Sequence, residues 1–349
     1  MVGSGSLPEE TGGPEVAIVL VGGFGTRLRP LTYEVPKQLI PCAGQVALYH
    51  VFDLVPSSVR QIVLACGYKA VEIESYLKAH PYPLPVRVIR EETPLGTGGG
   101  MKNASEGVSD PFLLMNGDVV ASVDLTRMIA AHREHGGLGT MSLFEIEDTR
   151  PYGVAALGAE DRILRFVEKP EPHDAPSHWI NAGVSVWSRE VLDRVPTGRE
   201  VSFEREILPG LIDSSDSRGR HGVYGFTFRE FWEDAGTPER LLHAQRLLFD
   251  HGQRRRIPLS AGTGPSVRPP VSVGVGCRLE GAHVGPYVTL GDRVVLEEGS
   301  SVEDSVLMDG VTVGRGAALR NAIVGPGTSI LPGAEVRGKV LVREGAPQG

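Results

Sequence analysis

Over residues 15–252, short apolar runs alternate with amphipathic stretches. The runs at 16–21, 61–66, 86–89, 112–115 and 140–144 have strand length, while 70–79 and 125–135 carry apolar residues at helical spacing. Strands alternating with helices predict a mainly parallel sheet covered on both faces, with ligands at the carboxyl ends of its strands. From Pro269 the pattern changes. Aliphatic residues recur at Val273, Leu279, Val284, Leu290, Leu296, Val302, Leu307, Val313, Leu319, Val324, Ile330 and Val336. Most steps are six residues, with five at 279→284, 302→307 and 319→324. A helix of period ~3.6 cannot hold that register. Short strands turning a corner every six residues hold it, and they stack the aliphatics in a column inside a prism.

These textures divide the chain. A Gly-, Ser- and Glu-rich leader spans 1–14, a first domain 15–252, a linker 253–270, the prism 271–340 and a tail 341–349. A length of 349 residues suits two domains. The linker holds Arg254, Arg255 and Arg256 among Pro and Gly, a solvated or interdomain charge run. Hydrophobic residues at 41% and charged residues at 22% fit a soluble globular protein. A net charge of −8 excludes the usual basic nucleic-acid binder. It leaves nucleotides open, because a few local cations and Mg²⁺ can hold a triphosphate. Cys42, Cys66 and Cys277 lie far apart without a CxxC, which excludes a disulfide framework and a zinc site and suits a reducing cytosol. There is no apolar stretch of signal-peptide length at the start and no run of about 18 apolar residues, so no membrane partner is expected.

The chemistry is concentrated after the first strand, in Gly22-Gly23-Phe24-Gly25-Thr26-Arg27-Leu28-Arg29-Pro30-Leu31-Thr32 followed by Pro36-Lys37-Gln38-Leu39. It is neither a P-loop, lacking GxxxxGK[ST], nor a dinucleotide fingerprint, since Leu28 stands where the third Gly belongs. Glycines after a buried strand let backbone N–H groups approach a phosphate chain. Arg27 adds a planar cationic fork and Lys37 a point charge. A second candidate is Asp118 in Met115-Asn116-Gly117-Asp118, where a strand's end could offer a carboxylate to a metal; an ordinary turn Asp is the alternative.

Together with Glu168-Lys169-Pro170, Asn181-Ala182-Gly183 and Trp232-Glu233-Asp234-Ala235-Gly236-Thr237-Pro238, these stations resemble the sugar-1-phosphate nucleotidyltransferase family. The family's signatures are GGxGTRLxPLTxxxPK, EKP, NAG and WxDxGTP, met here in order over most of the chain. PKQL stands here for the common PKPL. The resemblance implies an α/β, Rossmann-like nucleotidyltransferase domain, and the six-residue repeat resembles the left-handed parallel β-helix of hexapeptide-repeat proteins. It implies Mg²⁺ held by Asp118 and Asp234, with Arg27, Lys37 and Lys169 also catalytic. Leu20, Gly22, Gly23, Gly25, Thr26, Glu91, Gly96 and Thr97 would line the nucleotide; Gly153, Glu168 and Asn181 would face the sugar. Glu233, beside Asp234, points elsewhere if the segment is extended.

The segment Glu91-Glu92-Thr93-Pro94-Leu95-Gly96-Thr97 is closer to mannose- and heptose-1-phosphate guanylyltransferases than to thymidylyl enzymes, with Thr93 as a departure. The run at 201–206, VSFERE, is also guanylyltransferase-like. Guanine offers N1–H and N2–H₂ donors side by side, which the Glu91 carboxylate could accept together; simple solvation of Glu91 and Glu92 is the competing account. GTP and mannose 1-phosphate are the favoured substrates. Other nucleotides, and glucose, heptose or cyclitol 1-phosphates, use the same motifs. Two rival classes remain. A regulatory subunit that only binds nucleotide sugar predicts damage at Arg27, Lys37, Asp118, Lys169 or Asp234, and all are intact. An acyltransferase needs a His base, and His283 is the only histidine of the repeat. A structural role for the repeat is favoured, through which the chain forms a homo-oligomer.

Overall fold

A computed structural model describes residues 13–214, 222–251 and 266–347. Most of the leader and the Arg254–256 run lie outside the described residues. The first domain is built on β1 (Val16–Leu20), β2 (Gln61–Cys66), β3 (Val86–Arg90), β4 (Phe112–Asn116), β5 (Val119–Ala121), β6 (Gly139–Glu145), β7 (Gly153–Leu157), β8 (Ile163–Glu168), β9 (Trp179–Trp187), β10 (Val223–Phe228) and β11 (Trp232–Asp234). A nine-stranded sheet runs β8-β7-β9-β4-β1-β2-β3, with β6 joined to β9 and β10. The strands β4, β1, β2 and β3 are parallel, with Ala17, Ile18 and Val19 of β1 fully buried between layers.

The sheet is mixed rather than mainly parallel. β9 runs antiparallel to β4 and β6, and β7 pairs antiparallel with β8. Residues 158–162 alone join β7 to β8, too short for a crossover, so a hairpin is the only connection that reaches. Helices occupy Ala70–Ala79 and Leu125–His135, as the spacing predicts. The stretch Gly96–Asn103 is also helical. Its glycines serve close approach: a Cβ on Gly98 would stand 3.1 Å from Val201 Cγ1 and one on Gly100 2.6 Å from Glu91 Oε1. Helix propensity alone would reject that sequence, and tertiary packing overrides it.

From Ser266 onward, parallel ladders form two five-stranded sheets and one three-stranded sheet, the walls of a left-handed β-helix. Val284 lies under Val302, Val302 under Leu319 and Leu319 under Val336. All twelve aliphatics of the six-residue series belong to its core. The five-residue steps at 302→307 and 319→324 fall at one corner of successive coils. Among the described residues no helix is long and apolar enough to cross a membrane.

The helix Pro238–Asp250 joins the two halves. Leu241, Leu248 and Phe249 form one apolar cluster with Leu28, Leu31 and Ile40 of the first domain and Val306, Met308 and Ile323 of the β-helix. Within it, Gln245 is fully buried. Its amide donates to Tyr287 O at 2.9 Å and Ser305 O at 3.5 Å and accepts from Ala43 N at 3.4 Å. Replacing Gln245 with Leu leaves those backbone groups unmatched in a dry seam, at an expected cost of about 1–3 kcal/mol. The denaturation midpoint reads this, and an unshifted midpoint would remove the amide from the seam's energetics.

Candidate active site

Because β1 neighbours β4, their carboxyl ends deliver the Gly-rich loop and Asp118 to one place. Gly117 N donates to Leu20 O at 3.0 Å, so the Leu20 carbonyl is spent on tying the two ends together. A Cβ on Gly117 would stand 2.4 Å from Val21 Cγ1. Gly25 is left-handed (φ 63°), and a Cβ there would approach Thr32 Cγ2 to 2.9 Å. The loop then proceeds as 3₁₀ turns at Thr26–Leu28, Leu31–Tyr33 and Lys37–Leu39. Leu28 and Leu31 are fully buried and anchor it. Arg27 stays about half exposed beside them.

Asp118 and Asp234 converge through an antiparallel ribbon. β5 pairs with β11 so that Asp234 lies opposite Val119, and Ala235 N donates to Asp118 O at 3.0 Å. The Lys37 ammonium pairs with the Asp118 carboxylate. Asp234 Oδ2 lies 3.5 Å from Arg27 and 3.6 Å from Arg240. Its Oδ1 is buried without a hydrogen-bond partner. Burial first, and the Asp118 charge second, hold the Asp234 carboxyl above the usual carboxylate range, against the pull of Arg27, Lys37 and Arg240. An orphaned buried oxygen beside a second carboxylate is what a hard divalent cation would satisfy. No cluster of three or more His, Cys, Asp or Glu fit for a metal occurs among the described residues. Two carboxylates completed by phosphate and water fit Mg²⁺ better than an all-protein cage would.

On a second flank, Glu168 faces Gly153 across the β7–β8 ladder. A Cβ on Gly153 would stand 2.2 Å from Phe166 Cζ and 2.7 Å from Glu168 Oε2, so only glycine fits beneath this carboxylate. Lys169 turns out of the strand with φ 51°, and its Nζ lies 3.8 Å from Glu168 Oε1. Burial, then the field of Glu204, raises the Glu168 carboxyl. Asn181 Oδ1 accepts from Gly183 N at 3.0 Å, and Gly183 (φ 78°) leaves room for Asn116.

On the third flank, a Cβ on Gly22 would lie 3.7 Å from Glu91 Oε2, which also accepts from Leu95 N at 3.3 Å. Burial raises the Glu91 carboxyl. Gly96 (φ 70°) packs on the Val201 carbonyl, which accepts from Gly98 N at 2.9 Å and Gly99 N at 3.3 Å. Thr97 Oγ1 donates to Glu204 Oε2 at 2.6 Å and accepts from Phe203 N at 2.9 Å.

Sequence reasoning missed Arg240. It sits in the first turn of Pro238–Asp250, donates to the Tyr152 hydroxyl and lies 5.2 Å over that ring. An Arg at that position reads as the solvent face of an amphipathic helix. Glu233 turns away from Asp118, to His243 at 2.6 Å and Arg240 at 3.9 Å.

Comparison with known proteins matches residues 16–251 to the nucleotidyl transferase family and 266–346 to the GMPPB C-terminal domain. A mannose-1-phosphate guanylyltransferase of Mycobacterium tuberculosis is 35% identical over 82% of this chain and 81% of its own. The mannose-1-phosphate guanylyltransferase catalytic subunit beta of Drosophila pseudoobscura is 33% identical over 79% and 75%. HddC from Yersinia pseudotuberculosis, also solved in complex with GMP-PN, superposes with a TM-score of 0.55 at 27% identity, covering 66% of this chain and 98% of that one. With the Gly-rich loop, the paired carboxylates and the β-helix all in place, the chain belongs to the nucleotidyl transferase family, as a sugar-1-phosphate nucleotidyltransferase of the mannose-1-phosphate guanylyltransferase type.

Proposed function

We propose that this enzyme transfers GMP from GTP to mannose 1-phosphate, giving GDP-mannose and pyrophosphate. The observation that carries the reading is the meeting of Asp118, Asp234, Arg27 and Lys37 at the ends of β1 and β4. A sugar-phosphate oxygen attacks the α-phosphorus in line and the bond to pyrophosphate breaks. The nucleophile is anionic at neutral pH, so no general base is needed, and positioning with charge neutralisation does the work. Mg²⁺, held by Asp118 and Asp234, supplies neutralisation at the α-phosphate when bound. Backbone N–H groups of Gly22, Gly23, Gly25 and Thr26 cradle the triphosphate, and Leu20 and Gly96 complete the walls. Arg27 and Lys37, which pair with Asp234 and Asp118, offer their charge to the phosphate oxygens of the substrate. Lys169, more than half exposed, reaches for the sugar phosphate. Glu168 and Asn181 accept sugar hydroxyls over Gly153.

Guanine selection is assigned to Glu91, whose carboxylate lies among Gly22, Gly67 and Gly100. Glu91→Gln is expected to lower the GTP-to-UTP ratio of kcat/KM by about tenfold, the scale of a lost charged hydrogen bond. An unchanged ratio would move base recognition elsewhere. The cytosol is the proposed location, matching free Cys42, Cys66 and Cys277, and self-association is assigned to the β-helix.

The deciding experiment measures pyrophosphate release with Mg²⁺ for four nucleoside triphosphates against mannose, glucose and heptose 1-phosphates. Turnover confined to GTP and mannose 1-phosphate supports the reading. Turnover with another pair replaces the substrates. Nucleotide-sugar binding with no turnover on any pair would favour a regulatory subunit.

A further inference from the structure

The sugar flank carries a carboxylate, within the VSFERE run, to which no role has yet been assigned. Glu204 lies in Phe203–Ile207, a wide π-type turn packed against β8, the strand that ends in Glu168. No Lys or Arg lies within ion-pair distance of Glu204 among the described residues. Among the described residues its Oε2 accepts from two hydroxyls, Thr97 at 2.6 Å and Ser202 at 3.4 Å. Glu168 is close enough for the Glu204 charge to raise its carboxyl. Two acceptors on neighbouring segments, one with no ion pair and the other drawn only by Lys169 at 3.8 Å and the field of Arg205, suit a neutral polyol, whose hydroxyls are donors. That chemistry marks the ring end of a sugar phosphate, away from its phosphate.

Thr97 is spent on the same carboxylate. A hydroxyl has one proton, and here it goes to Glu204, while its oxygen accepts from Phe203 N at 2.9 Å. The Val201 carbonyl adds bonds from Gly98 and Gly99, so the helix on the nucleotide flank is latched to the segment that carries Glu204. We propose that Glu204 is a specificity-determining residue that accepts a hydroxyl of the sugar ring, and that Thr97 is the positioning residue that aims it. The proposal rests on the sugar-phosphate reading above.

The test compares Thr97→Val, Thr97→Ser and Glu204→Gln, measuring kcat and KM for GTP and mannose 1-phosphate separately, with calorimetric binding of mannose 1-phosphate alongside. Thr97→Val and Glu204→Gln are expected to raise the KM and weaken the binding of mannose 1-phosphate by about tenfold, with the GTP KM moving far less. Thr97→Ser, which keeps the hydroxyl, returns the sugar KM toward the parent. A Thr97→Val variant whose GTP KM rises while the sugar KM stays put overturns the latch and makes Thr97 a nucleotide contact. Unchanged sugar binding in Glu204→Gln, which keeps side-chain shape, overturns the hydroxyl role. If the parent works on a different sugar phosphate, the comparison is made with that one, and the substrate reading fails while the latch is still judged. A parent with no turnover on any pair overturns both.

Discussion

Asp234→Asn is expected to lose about 10²-fold or more of turnover while melting, without metal, no lower than the parent. The first half follows from the charge that the reaction must gather at the α-phosphate: neutralising one of two carboxylates weakens the cation's seat, and electrostatic contributions of this kind are worth ~10²–10³ in rate. The second half follows from burial. Asp234 is held above the ordinary carboxylate range by desolvation and by Asp118, so its ionised form destabilises the folded protein near neutrality. That penalty fades as pH falls through the raised folded pKa, because the proton then relieves it. Asn carries no charge to bury and removes the penalty at every pH. Pyrophosphate release over a range of Mg²⁺ concentrations reads the first half, and a metal-free thermal scan reads the second. Near-parent turnover would dismiss Asp234 as a metal ligand. A lower melting point would mean that the pairs with Arg27 and Arg240 outweigh the repulsion.

Arg27→Ala is expected to cost about 10²-fold in kcat/KM, the scale of removing one preorganised charge from a transition state. Arg240 lies nearly as close to Asp234 but cannot take over. Its guanidinium is committed to the Tyr152 hydroxyl and to Glu233, whereas Arg27 is half exposed at the loop's edge. A planar fork bridging phosphate oxygens is poorly replaced by an ammonium, so Arg27→Lys should recover only part of the loss. Steady-state kinetics of the two variants decides this, and full activity in Arg27→Ala would hand the role to Arg240.

How much of this was legible depended on whether the information was local. The Gly-rich loop, the strands around it and the helices at 70–79 and 125–135 are each written in a contiguous stretch. The β-helix is legible because its coils repeat one local rule, an inward aliphatic at each wall. The convergence of Asp118 with Asp234 came only through the family resemblance, since in the chain itself it needs β5 to pair with β11 across more than a hundred residues. The helix at Gly96–Asn103 was hidden because its glycines suggest a loop, while the Val201 carbonyl that organises it lies far along the chain. Thr97 illustrates the same limit: its position in the motif suggests the nucleotide, yet its proton goes to Glu204. Arg240 had no local mark at all.

The seam between the domains reaches into the catalytic loop itself. Leu31, inside the Gly-rich signature, touches the β-helix where a Cβ on Gly325 would stand 3.1 Å from its Cδ1, and Leu28 is buried in the same cluster. The Gly-rich loop is therefore braced from behind by a segment nearly three hundred residues later in the chain. Loosening of the β-helix removes packing from behind the Gly-rich loop, which ties that loop's rigidity to the half of the chain that holds none of the candidate site residues.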